Sequence, residues 1–279
     1  MYRRLIQAII GLVLGSAIGG LITAPSQALI WIDPGVLAAI PAWACETADG
    51  TASKDFTVDV GRGPNRKLLV WVFLRGNSTS CPGSGGTRPS GTYKSLTLVN
   101  IHVDQDWETT SNTGTGRICV QSMYYDLTST ETGANTLHVE WGNTASTTPI
   151  TAVVLAAVVV DATTGSSLSG DDDAANSGRT SSSFVNLTID SGADVWASFA
   201  TMSNVAAFTL GSGQTFVDLG QADGAGPTCS SGNKVCVCDS AGSPISVAMT
   251  YEAFPGGGAE AATFSWSGSA GVVGNQFEL

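Results

Sequence analysis

From Asp55 onward the sequence repeats one device: a short apolar or alternating run, then a stretch of Gly, Ser, Thr, Asn and Pro, then another run. The runs are FTVDV (56–60), KLLVWVFL (67–74), SLTLVNIHV (95–103), ICVQSMYYDL (118–127), TLHVEW (136–141), ITAVVLAAVVV (150–160), SFVNLTI (183–189), ADVWASFATM (193–202), TFVDLG (215–220), SVAMTYEAF (246–254) and ATFSWSG (262–268). Strand side chains alternate between two faces, and β-branched and aromatic residues suit a pleated, half-buried surface, so each run predicts a strand. None of the later segments carries a 3.6-residue amphipathic period. ITAVVLAAVVV is long enough for a buried helix, but its β-branched residues favour a central strand. Strands in this number without crossover helices predict an all-β fold, a two-sheet antiparallel β-sandwich. The polar, glycine-rich stretches 77–93 and 162–182 are expected to be long loops, where recognition residues tend to concentrate.

The first 28 residues read differently. MYRR precedes LIQAIIGLVLGSAIGGLITA (5–24), an expected hydrophobic helix of about 30 Å at 1.5 Å per residue, one hydrocarbon thickness. Three readings stay open. As a secretory signal, Arg3 and Arg4 are the basic start, and Ser26 and Ala28 are the small residues before a cut. As a membrane anchor, residues 5–24 span the bilayer. As an assembly segment, Gly11, Gly15 and Gly19 recur every four residues and lie on one face, the spacing that lets helix backbones approach closely. Residues 29–54 continue as an apolar arm, with LIWIDPGVLAAIPAWA broken by Asp33-Pro34-Gly35 and by Pro41. Such an arm needs the domain, a neighbouring subunit or a membrane to bury it. With no internal repeat of 20–50 residues and no change of composition after residue 55, residues 55–279 are expected to form one domain.

Charge narrows the partners. The chain carries 12 Lys and Arg against 23 Asp and Glu, a net −11, and only 13% of it is charged. Through Val120 there are ten cations and eight anions. Beyond it only Arg179 and Lys234 face fifteen acids, so the two parts carry +2 and −13. A surface this acidic repels phosphate backbones, which argues against a nucleic-acid partner. Six cysteines (45, 81, 119, 229, 236 and 238) fit disulfides formed outside a reducing cytosol, and six allow 15 pairings. CSSGNKVC has a Ser-Gly-Asn-Lys turn that suits a Cys229–Cys236 bridge at a hairpin tip. Its C-x6-C-x-C spacing does not match a zinc knuckle.

Several landmarks in order carry a resemblance. RKLLVWVFLRG reads as an early core strand, and SMYYDLTSTETGANTLHVEWGN as an aromatic strand, a polar turn and a return strand ending in Trp. ITAVVLAAVVVDATTG follows as a core strand, and ADVWASFATMSN, AFTLGSGQTFVDL and ATFSWSGSAGVVGNQFEL as closing strands. Over residues 55–279 this layout resembles a lectin-like, jelly-roll type β-sandwich module of phage virion proteins and bacterial secreted or surface proteins. The resemblance implies a fold and no catalytic residues.

The candidate chemistry is sparse. Alternation puts His102, Asp104 and Asp106 on one strand face, and His138 and Glu140 on another. Were the two strands adjacent, two imidazoles and a carboxylate could hold a metal ion, although a solvated polar face is the commoner outcome. The chain has only two histidines and no G-x-S-x-G elbow, which argues against a Ser-His-Asp hydrolase. Asp171-Asp172-Asp173 lacks the spacing that wraps calcium and reads as a charged loop tip. NST at Asn77 and NLT at Asn186 match the glycosylation triplet. Trp71, Trp141, Trp196 and Trp266 sit at inward-compatible strand positions and read as core. Trp107, with Asp104 and Asp106 beside it, is the candidate sugar-stacking residue.

These readings predict a non-enzymatic structural or attachment protein with no metal or cofactor, on a virion or cell surface, assembling through its apolar N-terminal segment. The alternative is a secreted, lectin-like carbohydrate-binding protein with glycans as partners.

Overall fold

The run Leu68–Leu74 is apolar at every position, so neither face of that strand can tolerate water. A computed structural model shows what covers both faces. It describes residues 39–40, 42–46, 53–63, 66–76, 89–100, 108–112, 116–141, 150–161, 169–183, 187–189, 194–201, 207–217, 236–240, 243–253 and 258–279. The expected helix over 1–28, with Gly11, Gly15 and Gly19, lies outside them.

The first part of the chain contributes β1 (Ala39–Ile40), β2 (Ala42–Glu46), β3 (Ser53–Val60), β4 (Arg66–Gly76), β5 (Ser90–Tyr93), β6 (Leu96–Thr97), β7 (Val99–Asn100), β8 (Glu108–Asn112), β9 (Gly116–Leu127), β10 (Ala134–Glu140) and β11 (Ile150–Asp161). The second part contributes β12 (Ser169–Ser183), β13 (Leu187–Ile189), β14 (Asp194–Thr201), β15 (Phe208–Leu210), β16 (Thr215–Phe216), β17 (Cys236–Ser240), β18 (Ser243–Ala253), β19 (Gly258–Glu260) and β20 (Thr263–Glu278). All pairings among the described residues are antiparallel. A first sheet runs β1-β3-β10-β5-β6. A central sheet runs β2-β11-β4-β9-β7, with β8 also on β9. A third runs β12-β20-β14-β18-β16, with β15 on β20 and β17 on β18, and β13 pairs β19 separately.

The alternation within β4 explains the stacking. Leu68, Val70, Val72 and Leu74 join Phe56, Val58, Leu137, Val139 and Trp141 in the core shared with the first sheet. Leu69, Trp71 and Phe73 join Trp196, Val247, Met249 and Phe277 in the core shared with the third sheet. The central sheet is thus covered on both faces, and its strands lose the polar alternation of a one-sided sheet. The expected all-β antiparallel architecture is there, but in place of two sheets three large ones are present, because the central strands are apolar on both faces. β14 is also buried throughout, because the third sheet has a core on its far side too. There Phe199 stacks on Phe264 with centroids 4.5 Å apart, and Phe208 meets both edge-on at 6.3 Å. β20 supplies this cover by bending at Gly268, whose φ of 85° is open to glycine. Ala262 N–H, just before β20, donates to Gln276 Oε1 near that strand's far end at 3.0 Å. The tryptophans at 71, 141, 196 and 266 are core residues, as their strand positions imply.

Three further expectations are corrected. Ser90–Tyr93, at the end of the expected loop 77–93, forms β5 of the first sheet. The stretch 162–182 was expected to be a loop around a charged tip, yet Ser169–Ser183 is a strand along β20, with Asp171, Asp172 and Asp173 opposite Phe277, Gln276 and Asn275. The main chain of β20 offers it a long ladder interrupted by register shifts, and as an edge strand of the third sheet it tolerates charge. SLTLVNIHV was expected to be a single strand, yet its described part splits into β6 in the first sheet and β7 in the central one. The chain changes sheets at Leu98, which is buried and donates its N–H to Gly91 O at 2.9 Å.

Candidate functional site

The outer face of the first sheet is polar because β3 and β10 alternate cleanly. Phe56, Val58, Leu137 and Val139 point inward, while Asp55, Thr57, His138 and Glu140 point out. Register sets Asp55 directly across from His138. The imidazole lies between two carboxylates, with Nδ1 2.5 Å from Asp55 Oδ1 and Nε2 3.1 Å from Glu140 Oε1. Hydrogen bonding to Asp55, and then to Glu140, raises the His138 pKa above its ordinary 6.5 and outweighs the opposing effect of burial. In the imidazolium both ring nitrogens donate, one to each carboxylate, and neither offers a lone pair. In that charged form the ring ties the two strands together. The side chains of Asp55 and Glu140 are 67% and 59% exposed, so water screens the attraction. Among the described residues no group of three or more His, Cys, Asp or Glu is placed to hold a metal ion.

A second cluster lies at the end of the central sheet. The Lys67 ammonium pairs with Asp126 and sits 5.3 Å from the centre of the Tyr124 ring. Burial, and then Asp126, raises the Tyr124 pKa. Arg66 next to it is buried, and its guanidinium reaches backward into turns: Nε donates to Gly63 O at 2.8 Å and Nη2 to Thr128 O and Glu131 O at 3.0 and 2.6 Å, while Nη1 donates to Val60 O. This cation organises loops.

The most informative connection is covalent. Cys45 on β2 and Cys238 on β17 form a disulfide with Cα atoms 5.5 Å apart across a sequence separation of 193. It joins an edge strand of the central sheet to an edge strand of the third. Cys119 and Cys236 each take part in a further disulfide. Cys229, the expected partner of Cys236, lies outside the described residues. In the chain-entropy picture, closing a loop this long stabilises the fold by up to about 5 kcal/mol. Disulfides of this kind fit an oxidising compartment.

The sequence-predicted residues His102, Asp104, Asp106 and Trp107 lie outside the described residues, as do Asn77, Asn186 and residues 5–24. No helix among the described residues is long and apolar enough to cross a membrane. Sequence reasoning paired His138 with Glu140 but missed Asp55, which is 83 residues away in sequence and is supplied by strand register alone.

The fold and its fastenings define a class: an antiparallel all-β protein whose stacked sheets are cross-linked by disulfide. The sequence matches no protein-family model and no curated protein.

Proposed function

We propose that this is a non-enzymatic structural or attachment protein, a lectin-like β-sandwich of jelly-roll type displayed on a virion or cell surface. In this reading residues 5–24 bury against a membrane or against copies of the same segment, and the sheets form the displayed body. Its partners are other copies of the chain or other surface proteins.

One observation carries the reading. Residues 39–40 and 42–46, in the apolar arm downstream of the leading segment, are laced into every large sheet. Ala39–Ile40 pairs in the first, Ala42–Glu46 pairs in the central one, and Cys45 is bonded to the third. A point where the chain leaves its body for an anchor is where such fastening is useful. The disulfides support a location outside a reducing cytosol.

Intact mass, N-terminal sequencing and native mass on protein from its natural source test this together. An assembly or membrane-bound species retaining residues 1–28 is expected. A soluble monomer beginning at Asp55 would overturn the proposal, and glycan binding abolished by Trp107→Ala would favour the secreted lectin instead.

A further inference from the structure

The strands that carry the lacing are held weakly by their own pairing. β1 has two residue pairs with β3, and β2 has five with β11, each at the edge of its sheet. Edge strands this short open at a small fraction of the global unfolding free energy, because they share few ladder bonds and have a neighbour on one side only. The sheets they border are deep by comparison. β4 makes eleven pairs with β11 and eleven with β9, and its Leu68–Leu74 stretch is fully buried. The Cys45–Cys238 bond therefore adds a covalent hold to a strand with few ladder bonds of its own, Cys238 itself being buried in the core.

We propose that this disulfide is a redox-sensitive latch on the 39–46 segment. While it is closed, the segment is fixed to all three sheets. A dithiol reductant opens it: the dithiol supplies two electrons and two protons, the S–S bond breaks, Cys45 and Cys238 become thiols, and the dithiol closes into its own disulfide. The segment then leaves β3 and β11 while the stacked sheets stay folded. The upstream segment then loses its fastening through residues 39–46. The latch does not depend on what that upstream segment attaches to, so it can stand or fall separately from the attachment reading.

The test is amide hydrogen exchange by mass spectrometry on the full chain, comparing the oxidised protein with a Cys45→Ala/Cys238→Ala variant that keeps the other cysteines. Peptides over 39–46 in the variant are expected to exchange at least about tenfold faster, while those over 68–74 and 195–200 keep their protection. A reductant titration of the wild-type protein should show the 39–46 peptides responding before the interior strands. Unchanged protection of 39–46 would overturn the latch. So would loss of protection throughout, or a variant that does not fold, because either result would make the bond a condition of folding itself.

Discussion

Asn275 and Ser122, 153 residues apart in sequence, are hydrogen-bonded in the buried space between two sheets, Asn275 Nδ2 donating to Ser122 Oγ. The same Asn275 accepts from Ser198 Oγ at 2.6 Å through its Oδ1. One amide thus satisfies a hydroxyl from the central sheet and another from the third, within an otherwise apolar layer. Buried polar groups cost little when paired and about 1–3 kcal/mol when orphaned. Asn275→Ala leaves two hydroxyls without this partner and is expected to cost about 2–3 kcal/mol, against about 1 kcal/mol for Ser122→Ala. Urea unfolding without reductant measures both, and equal small effects would show that the network is not a specific link between the sheets.

Arg66 is expected to be among the most sensitive positions in the chain. Its guanidinium donates to four carbonyls in two separate connections, β3–β4 and β9–β10, so no single-point cation replaces it. Arg66→Met should destabilise by at least about 3 kcal/mol, and Arg66→Lys should recover only a minor part. Thermal and urea unfolding of the two variants check this.

The turn between β5 and β6 stores strain. Lys94 and Ser95 hold φ angles of 49° and 66°, in the left-handed region where a side chain costs about 1–2 kcal/mol. Glycine removes that cost at Ser95 and returns part of it through unfolded-state freedom. Ser95→Gly should therefore stabilise the protein by about 0.5–1 kcal/mol, read as a higher urea midpoint at an unchanged slope.

The tie at His138 makes a pH-dependent contribution with a definite sign. Its folded pKa is raised above 6.5, so its stabilisation is fully present below pH 6.5 and fades as pH rises through the folded value. Exposure keeps the effect modest. Urea midpoints measured from pH 5.5 upward should fall across that window in the wild type, and the fall should be smaller in His138→Gln.

Much of the strand pattern could be read from sequence because burial wrote it into the residues. ITAVVLAAVVV became Ile150–Asp161 as its β-branching implied, and KLLVWVFL lies within Arg66–Gly76. The sheet count was less legible. An unbroken apolar run such as Leu68–Leu74 signals two covered faces but does not say whether the second cover is a loop, a helix or another sheet. Ser169–Ser183 was illegible for the opposite reason: its polar residues carry no strand signal, and the neighbouring β20 imposes the ladder. The site followed the same division. Alternation placed His138 beside Glu140, whereas Asp55 and the choice of Cys238 for Cys45 depend on long-range packing that no local pattern records.

The account turns on the bond that fastens residues 39–46 to the third sheet. Peptide mapping of the non-reduced protein by mass spectrometry, with thiols blocked before digestion, tests it directly. The prediction is one cross-linked species containing Cys45 and Cys238 that separates into its two peptides on reduction. Cys45 recovered as a blocked free thiol, or bonded to any other cysteine, would contradict it.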